Sequence, residues 1–224
     1  MTRSPFDPAF DTLPATLPIF PLPGALLLPG GKLPLQIFEP RYIVMTRDAL
    51  ASDRLIGMIQ PLGQVSESEG PVAEAAELYP VGCAGRITSF SESEDGRYLI
   101  TLSGLCRFGI GREIPTVGGY RRVVPDFQRF RADMEPVANG VVERERVLKA
   151  LKVFFTAQKV KVDWKAVGEI ADDTLVTTFA MLCPFAPQEK QALLEAPDLG
   201  ERSRVLTALL ELALLAGDGE TARH

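Results

Sequence analysis

Residue types that commonly carry enzyme chemistry are scarce in this chain. Its 224 residues include one histidine, which is the last residue, His224. Ser-His-Asp and Cys-His sites need a positioned imidazole as general base, and a terminal histidine is poorly placed to supply one. The cysteines Cys83, Cys106 and Cys183 lack the C-x-x-C spacing of a structural zinc site. We therefore expect no histidine-dependent hydrolytic site, no metal site and three reduced core thiols.

The segment 24–32, which reads GALLLPGGK, superficially resembles a phosphate-binding loop. A Walker A motif requires glycine where Leu26 stands. It also requires serine or threonine where Leu33 follows Lys32, because that hydroxyl holds Mg²⁺. Pro29 removes a further backbone donor from the loop. We interpret the segment as a turn between two strands and expect neither a nucleotide nor any other cofactor.

Arginines gather in the stretch 107–131, where only Glu113 and Asp126 oppose them. One interpretation is a basic face for nucleic acid, carried by Arg107, Arg112, Arg121, Arg129 and Arg131. The other is that these side chains pair with acidic strands or lie on the solvated face of a sheet. The net charge of −5 and the pI near 5.1 argue against nucleic acid as the main partner.

Apolar side chains also stand in the Pro/Gly-rich turns at 20–31, which hold Phe20, Leu26, Leu27 and Leu28. If these turns lie at the edge of a barrel, they form a groove for extended or unfolded peptide. The alternative is that they pack beneath the helical part of the chain.

Alternating apolar residues predict strands near 17–22, 32–38, 54–60, 82–90, 97–110 and 120–130. Pro40 predicts the start of a helix of about three turns, and Asp95-Gly96 predicts a hairpin. The Glu-rich segment 63–77 is expected to be a solvated, mobile loop. Together these elements predict a mostly antiparallel sheet of six or seven strands with one inserted helix, closed or nearly closed into a barrel.

After Pro136 the apolar period becomes helical, with helices predicted over 141–157 and 164–171, from Asp172 or Asp173 to Leu182, and over 187–195 and 199–215. The fold class is therefore α+β. We predict a flexible Pro-rich leader at 1–16, a β subdomain at 17–135, a helical subdomain at 136–217 and a tail at 218–224. The N-terminus lacks the apolar run of a signal peptide, and no stretch is long enough to span a bilayer, so a cytoplasmic location is expected.

Several blocks of the chain resemble one known family. The runs at 17–24 (LPIFPLPG), 33–42 (LPLQIFEPRY), 79–87 (YPVGCAGRI) and 102–108 (LSGLCRF) resemble the start of the Lon protease N-terminal domain. The later runs AMLCPF at 180–185 and QEKQALLE at 188–195 look like the stand-alone bacterial members. The resemblance covers roughly residues 17–216.

The resemblance implies a PUA-like β-barrel followed by a helical bundle. It also implies a non-catalytic module that binds unfolded or degron-bearing polypeptide, as an adaptor or competitor in proteolysis, with a Lon protease as a possible partner. No Walker A and no Ser-Lys protease segment are found, so the family supplies no catalytic residues. The candidate peptide-binding residues are Phe20, Leu26, Leu27, Leu28, Phe38, Arg41 and Tyr42. Nucleic-acid binding through the arginine cluster is the alternative, and the oligomeric state is left open.

Overall fold

The computed structural model describes residues 5–63, 76–135 and 141–221. The chain divides into two compact units, residues 1–137 and 138–224. Most of the predicted acidic loop, residues 64–75, lies outside the described residues, as do residues 222–224 of the predicted tail.

The described part of the first unit contains one α-helix and six strands. Helix α1 spans Pro40–Leu50, and the strands are β1 (Leu17–Pro21), β2 (Lys32–Ile37), β3 (Leu55–Ile59), β4 (Val81–Glu92), β5 (Tyr98–Val117) and β6 (Tyr120–Asp126). Short 3-10 helices span Phe10–Thr12 and Gln128–Met134. Pro40 stands in the first turn of α1, as predicted, since its missing N–H has no partner to lose there.

The strands form one mixed sheet in the order β2-β5-β4-β3-β1-β6. The described pairings are antiparallel except for β1 with β3, which run parallel. The 20-residue strand β5 also pairs with β6, so the last strand of this order is hydrogen-bonded to the second. The prediction of an α+β fold with a sheet of six or seven strands is confirmed, with six strands among the described residues.

The predicted leader packs onto this unit in its described part. Phe10 and Leu13 lie partly buried against a core cluster that includes Leu17, Phe108 and Val123. Its flexibility stays a prediction.

The described part of the second unit contains five helices: α2 (Arg144–Ala157), α3 (Trp164–Glu169), α4 (Asp172–Leu182), α5 (Pro187–Glu195) and α6 (Leu199–Thr221). None of the described helices is both long and apolar enough to cross a bilayer.

The ends of two helices compare with the prediction as follows. Helix α4 begins at Asp172, one of the two predicted starts, and its N-cap is Ala171. Asp172 and Asp173 therefore lie in the first turn, where a negative charge interacts favourably with the helix dipole. Helix α6 continues beyond the predicted end at Leu215 to Thr221, although Gly217 and Gly219 each cost about 1 kcal/mol inside a helix.

Candidate functional site

The turns at 20–31 form part of the core rather than an open groove. Phe20, Leu26, Leu27 and Leu28 are all buried. A Cβ atom at Gly104 of β5 would lie 2.1 Å from the Leu28 carbonyl oxygen, so the backbone of this turn presses directly onto the strand. The expectation of an exposed apolar groove at these positions is therefore corrected: in the free protein their side chains are not available to a peptide.

Tyr42 at the start of α1 is also an interior residue. Its ring packs against that of Phe20, with the ring centroids 4.1 Å apart and the ring planes tilted by 38°. Burial raises the pKa of the Tyr42 phenol to about 12, because the phenolate would lose its hydration. Tyr42 therefore packs the helix against the sheet.

Arg41 holds the turn before α1 and keeps one donor unused. Its Nε and Nη2 donate to Oε2 of Glu39 at 3.1 and 2.6 Å, and its guanidinium lies 4.7 Å from the centroid of the Tyr42 ring. Its Nη1 is buried without a hydrogen-bond partner. Leaving such a donor unpaired costs about 1–3 kcal/mol, so an acceptor oxygen from a bound molecule would be favoured there.

Phe38 lies in an exposed apolar patch on the outer face of the sheet. Its side chain is 61% exposed, and the Arg97 guanidinium lies 5.8 Å from its ring centroid. Gln36 pairs with Leu99, which is 45% exposed, so Leu99 lies on the same face as Phe38. A shallow groove of about 410 Å³ lies here, lined by residues that include Pro34, Gln36, Leu99 and Thr101. We call the surface of Pro34, Gln36, Phe38, Leu99 and Thr101 the Phe38 face.

The Phe38 face borders a sheet edge. Strand β2 hydrogen-bonds to β5, and within the described residues no strand pairs with its other side. Sequence reasoning selected Phe38 but missed Leu99. The alternation in β5 contained the signal, because Tyr98, Ile100 and Leu102 are buried and Leu99 falls between them on the opposite face.

Several arginines of the cluster at 107–131 form ion pairs within the protein. Arg107 is buried in an ion pair with Asp133. Arg121 pairs with Glu113 and also donates to the Ala76 carbonyl, whereas Arg131 pairs with Asp11 at 3.3 Å. Arg112 is exposed, and the Arg129 guanidinium lies over the ring of Phe130. Three of the five candidate nucleic-acid contacts therefore already neutralise a carboxylate.

The cysteines are buried and free, as predicted. Burial raises the pKa of the Cys183 thiol to about 12. Among the described residues, no group of three His, Cys, Asp or Glu side chains is arranged to hold a metal ion.

The amino-acid sequence was compared with known protein families and with curated proteins. The family described as "ATP-dependent protease La (LON) substrate-binding domain" matches residues 16–211. The chain is 27% identical to Lon protease 2 of Myxococcus xanthus over 211 residues, which cover 89% of this chain and 24% of that protein. It is also 27% identical to the Lon protease of Anaeromyxobacter dehalogenans, covering 89% of this chain and 23% of the relative. The chain thus spans about a quarter of the length of the curated relatives it matches.

Solved structures show the same fold. A Lon N-terminal domain protein from Xanthomonas campestris superimposes with a TM-score of 0.58 at 23% identity, over 86% of this chain and 97% of that one. The N-terminal domain of a Mycobacterium avium complex Lon protease gives a TM-score of 0.59 at 18% identity, over 88% and 98% of the two chains. Since the family match covers most of the sequence, the chain belongs to the Lon substrate-binding domain family.

Proposed function

We propose that this chain binds unfolded or degron-bearing polypeptide segments in an extended conformation, without catalysing a reaction of its own. The observation that carries the proposal is the Phe38 face, where two exposed apolar side chains stand beside an edge of β2 that no described strand covers. Unfolded chains expose apolar side chains and free backbone groups together, whereas folded proteins bury both. A surface that offers partners to both kinds of group therefore selects unfolded segments.

Strand addition along β2 is the binding mode that this geometry favours. Carbonyl groups along the free edge can accept hydrogen bonds from an added strand, although Pro34 withholds one donor. Alternate side chains of that strand would point toward the Phe38 face. Covering the exposed part of Phe38 would contribute about 1–2 kcal/mol of hydrophobic free energy to binding, and covering that of Leu99 about 1 kcal/mol.

The finer features of the fold follow the family resemblance. The return of the strand order from β6 to β5 supports a closed PUA-like barrel, and the five described helices support a helical bundle after it. We propose subdomains at 17–135 and 136–217. Because the curated relatives are Lon proteases, we propose a role as an adaptor that brings segments to such a protease, or as a competitor that withholds them.

The test is a fluorescence anisotropy titration with a reduced, carboxymethylated model protein. Replacing Phe38 and Leu99 together by alanine is expected to raise Kd about tenfold, which corresponds to about half of the apolar contact energy. The matched control replaces Leu182 and Leu212, which are 65% and 58% exposed in the second unit.

Two outcomes would contradict the proposal. One is an absence of binding by the unaltered protein at tens of micromolar, and the other is an equal loss of affinity in both double variants. Binding of nucleic acid that weakens steeply with added salt would support the arginine alternative in its place.

A further inference from the structure

A polar cavity of about 910 Å³ opens on the first unit, near the Phe38 face. Three cationic side chains line it, from Lys32, Arg54 and Arg86. We call these three residues the cation row. The hydroxyl groups of the lining come from Ser52, Thr88 and Ser103, and its carboxylates from Asp7 and Asp53. The lining therefore combines three positive and two negative charges with three hydroxyl groups, of which those of Ser52 and Thr88 already donate to backbone carbonyls.

The cation row follows from strand register. Lys32 of β2 pairs with Ser103 of β5, and Ser103 pairs in turn with Arg86 of β4. Directly paired residues on neighbouring strands point to the same face. Arg54 immediately precedes β3, whose first residue, Leu55, pairs with Arg86. Strand register thus places Lys32 and Arg86 on one face, and Arg54 joins them in the lining of the cavity.

Two members of the cation row have no counter-charge in contact. Within the described residues, the side chains of Lys32 and Arg54 make neither a hydrogen bond nor an ion pair, and both residues are exposed. Arg54 also has a φ of 59°, which favours glycine. It lies three residues beyond Ala51, the C-cap of α1, and its N–H donates to the Ala49 carbonyl. A cation kept at a strained backbone position suggests a use for its charge.

The third member already holds a carboxylate. Arg86 Nε donates to Oδ1 of Asp7 at 2.9 Å, and both side chains are only 12% exposed. Asp7 lies in a turn and bend over residues 5–7, and the aromatic ring of Phe6 before it is 79% exposed and also lines the cavity. The Asp7 side chain is thus an internal example of a carboxylate bound in the cavity.

We infer that the cation row binds a carboxylate side chain of the same extended polypeptide that contacts the Phe38 face, and that Asp7 fills this position in the free protein. The inference rests on the proposed function and narrows its substrate to segments with an acidic residue near an apolar one. Ser103 stands four residues from Leu99 along β5, a distance of about 14 Å in an extended strand. An acidic residue four to six positions from an apolar cluster would therefore reach both surfaces.

The test compares two labelled peptides that differ in charge alone. Each carries a Phe/Leu cluster, followed four to six residues later by three aspartates in one peptide and three asparagines in the other. The double variant K32Q/R54Q is expected to weaken binding of the aspartate peptide about three- to tenfold and to leave the asparagine peptide unchanged. The variant D7N is expected to tighten binding of the aspartate peptide, because it frees Arg86. The matched control K149Q/K165Q removes two exposed charges from the second unit.

The outcomes separate the two proposals. If K32Q/R54Q binds the aspartate peptide as tightly as the unaltered protein, the role of the cation row is refuted, while binding of the asparagine peptide would still uphold the Phe38 face. If the unaltered protein binds neither peptide, the proposed function itself fails. A single-stranded RNA that binds through Lys32 and Arg54, without any preference for aspartate over asparagine peptide, would also overturn the inference.

Discussion

Replacing Asp133 by alanine would leave a buried guanidinium without its carboxylate partner. Asp133 accepts hydrogen bonds from the backbone N, Nε and Nη2 of Arg107 at 2.9, 2.9 and 2.7 Å. The two side chains are only 6% and 8% exposed. Breaking a buried ion pair on one side costs about 3–5 kcal/mol, because the remaining charge has lost its hydration and no longer has its carboxylate.

Urea unfolding followed by circular dichroism measures this cost. With an m-value of about 2 kcal/mol/M, the unfolding midpoint of D133A is expected to fall by about 1.5–2.5 M. The matched control is D11A, which breaks the exposed pair between Asp11 and Arg131, where the side chains are 79% and 49% exposed. Its midpoint is expected to fall by no more than about 0.5 M.

A second variant tests whether the loss of stability comes from the buried charge that has lost its carboxylate. R107M/D133L removes both charges and fills a similar volume with apolar atoms, so its stability is expected to recover toward that of the unaltered protein. A midpoint for D133A within about 0.5 M of the unaltered protein, or a double variant as unstable as D133A, would refute the account of this pair. Confirmation would make Arg107 a structural residue rather than a nucleic-acid contact.

Two more predictions concern packing and pH. Gly104→Ala is expected to lower the free energy of unfolding by about 3 kcal/mol, since its Cβ would lie 2.1 Å from the Leu28 oxygen. Gly168→Ala meets no atom within 4 Å, so urea midpoints that fall equally in the two variants would contradict this packing. The pKa values of Tyr42 and Tyr120 are raised to about 12 by burial, with a hydrogen bond to a carboxylate adding to the effect at Tyr120. The stability that these two tyrosines contribute is present below the unfolded pKa of about 10 and is lost as the pH rises toward 12. Ultraviolet titration of the native protein measures their ionisation. A titration in which every tyrosine ionises near pH 10 would refute the prediction.

Local patterns were sufficient to predict most of the elements. The alternation over 32–38 corresponds to β2, and Pro40 begins α1. Gly96 adopts a φ of 79° in the turn between β4 and β5, as an Asp-Gly hairpin requires. These features depend on residues a few positions apart, and the preferences of the backbone at those positions are already present in the sequence.

The role of the apolar turn at 20–31 was decided by a distant strand. A leucine is equally suited to a core and to a peptide-binding groove, so composition could not distinguish them. Leu28 is buried because Gly104, 76 positions later, has no side chain to hold it away. Phe38, from the same set of candidates, is exposed because it follows β2 on the outward face.

By itself, the sequence determined the α+β class, most helix and strand positions, the buried cysteines and the family. Only the tertiary structure decided which arginine charges are paired with carboxylates and which cations line the cavity. Arg107 and Arg131 acquire carboxylates from outside their cluster, whereas Lys32, Arg54 and Arg86 meet in one cavity from three separate segments. The physical reason is that backbone preferences act within a few residues, whereas burial and charge pairing depend on strand register, which joins segments far apart in the chain.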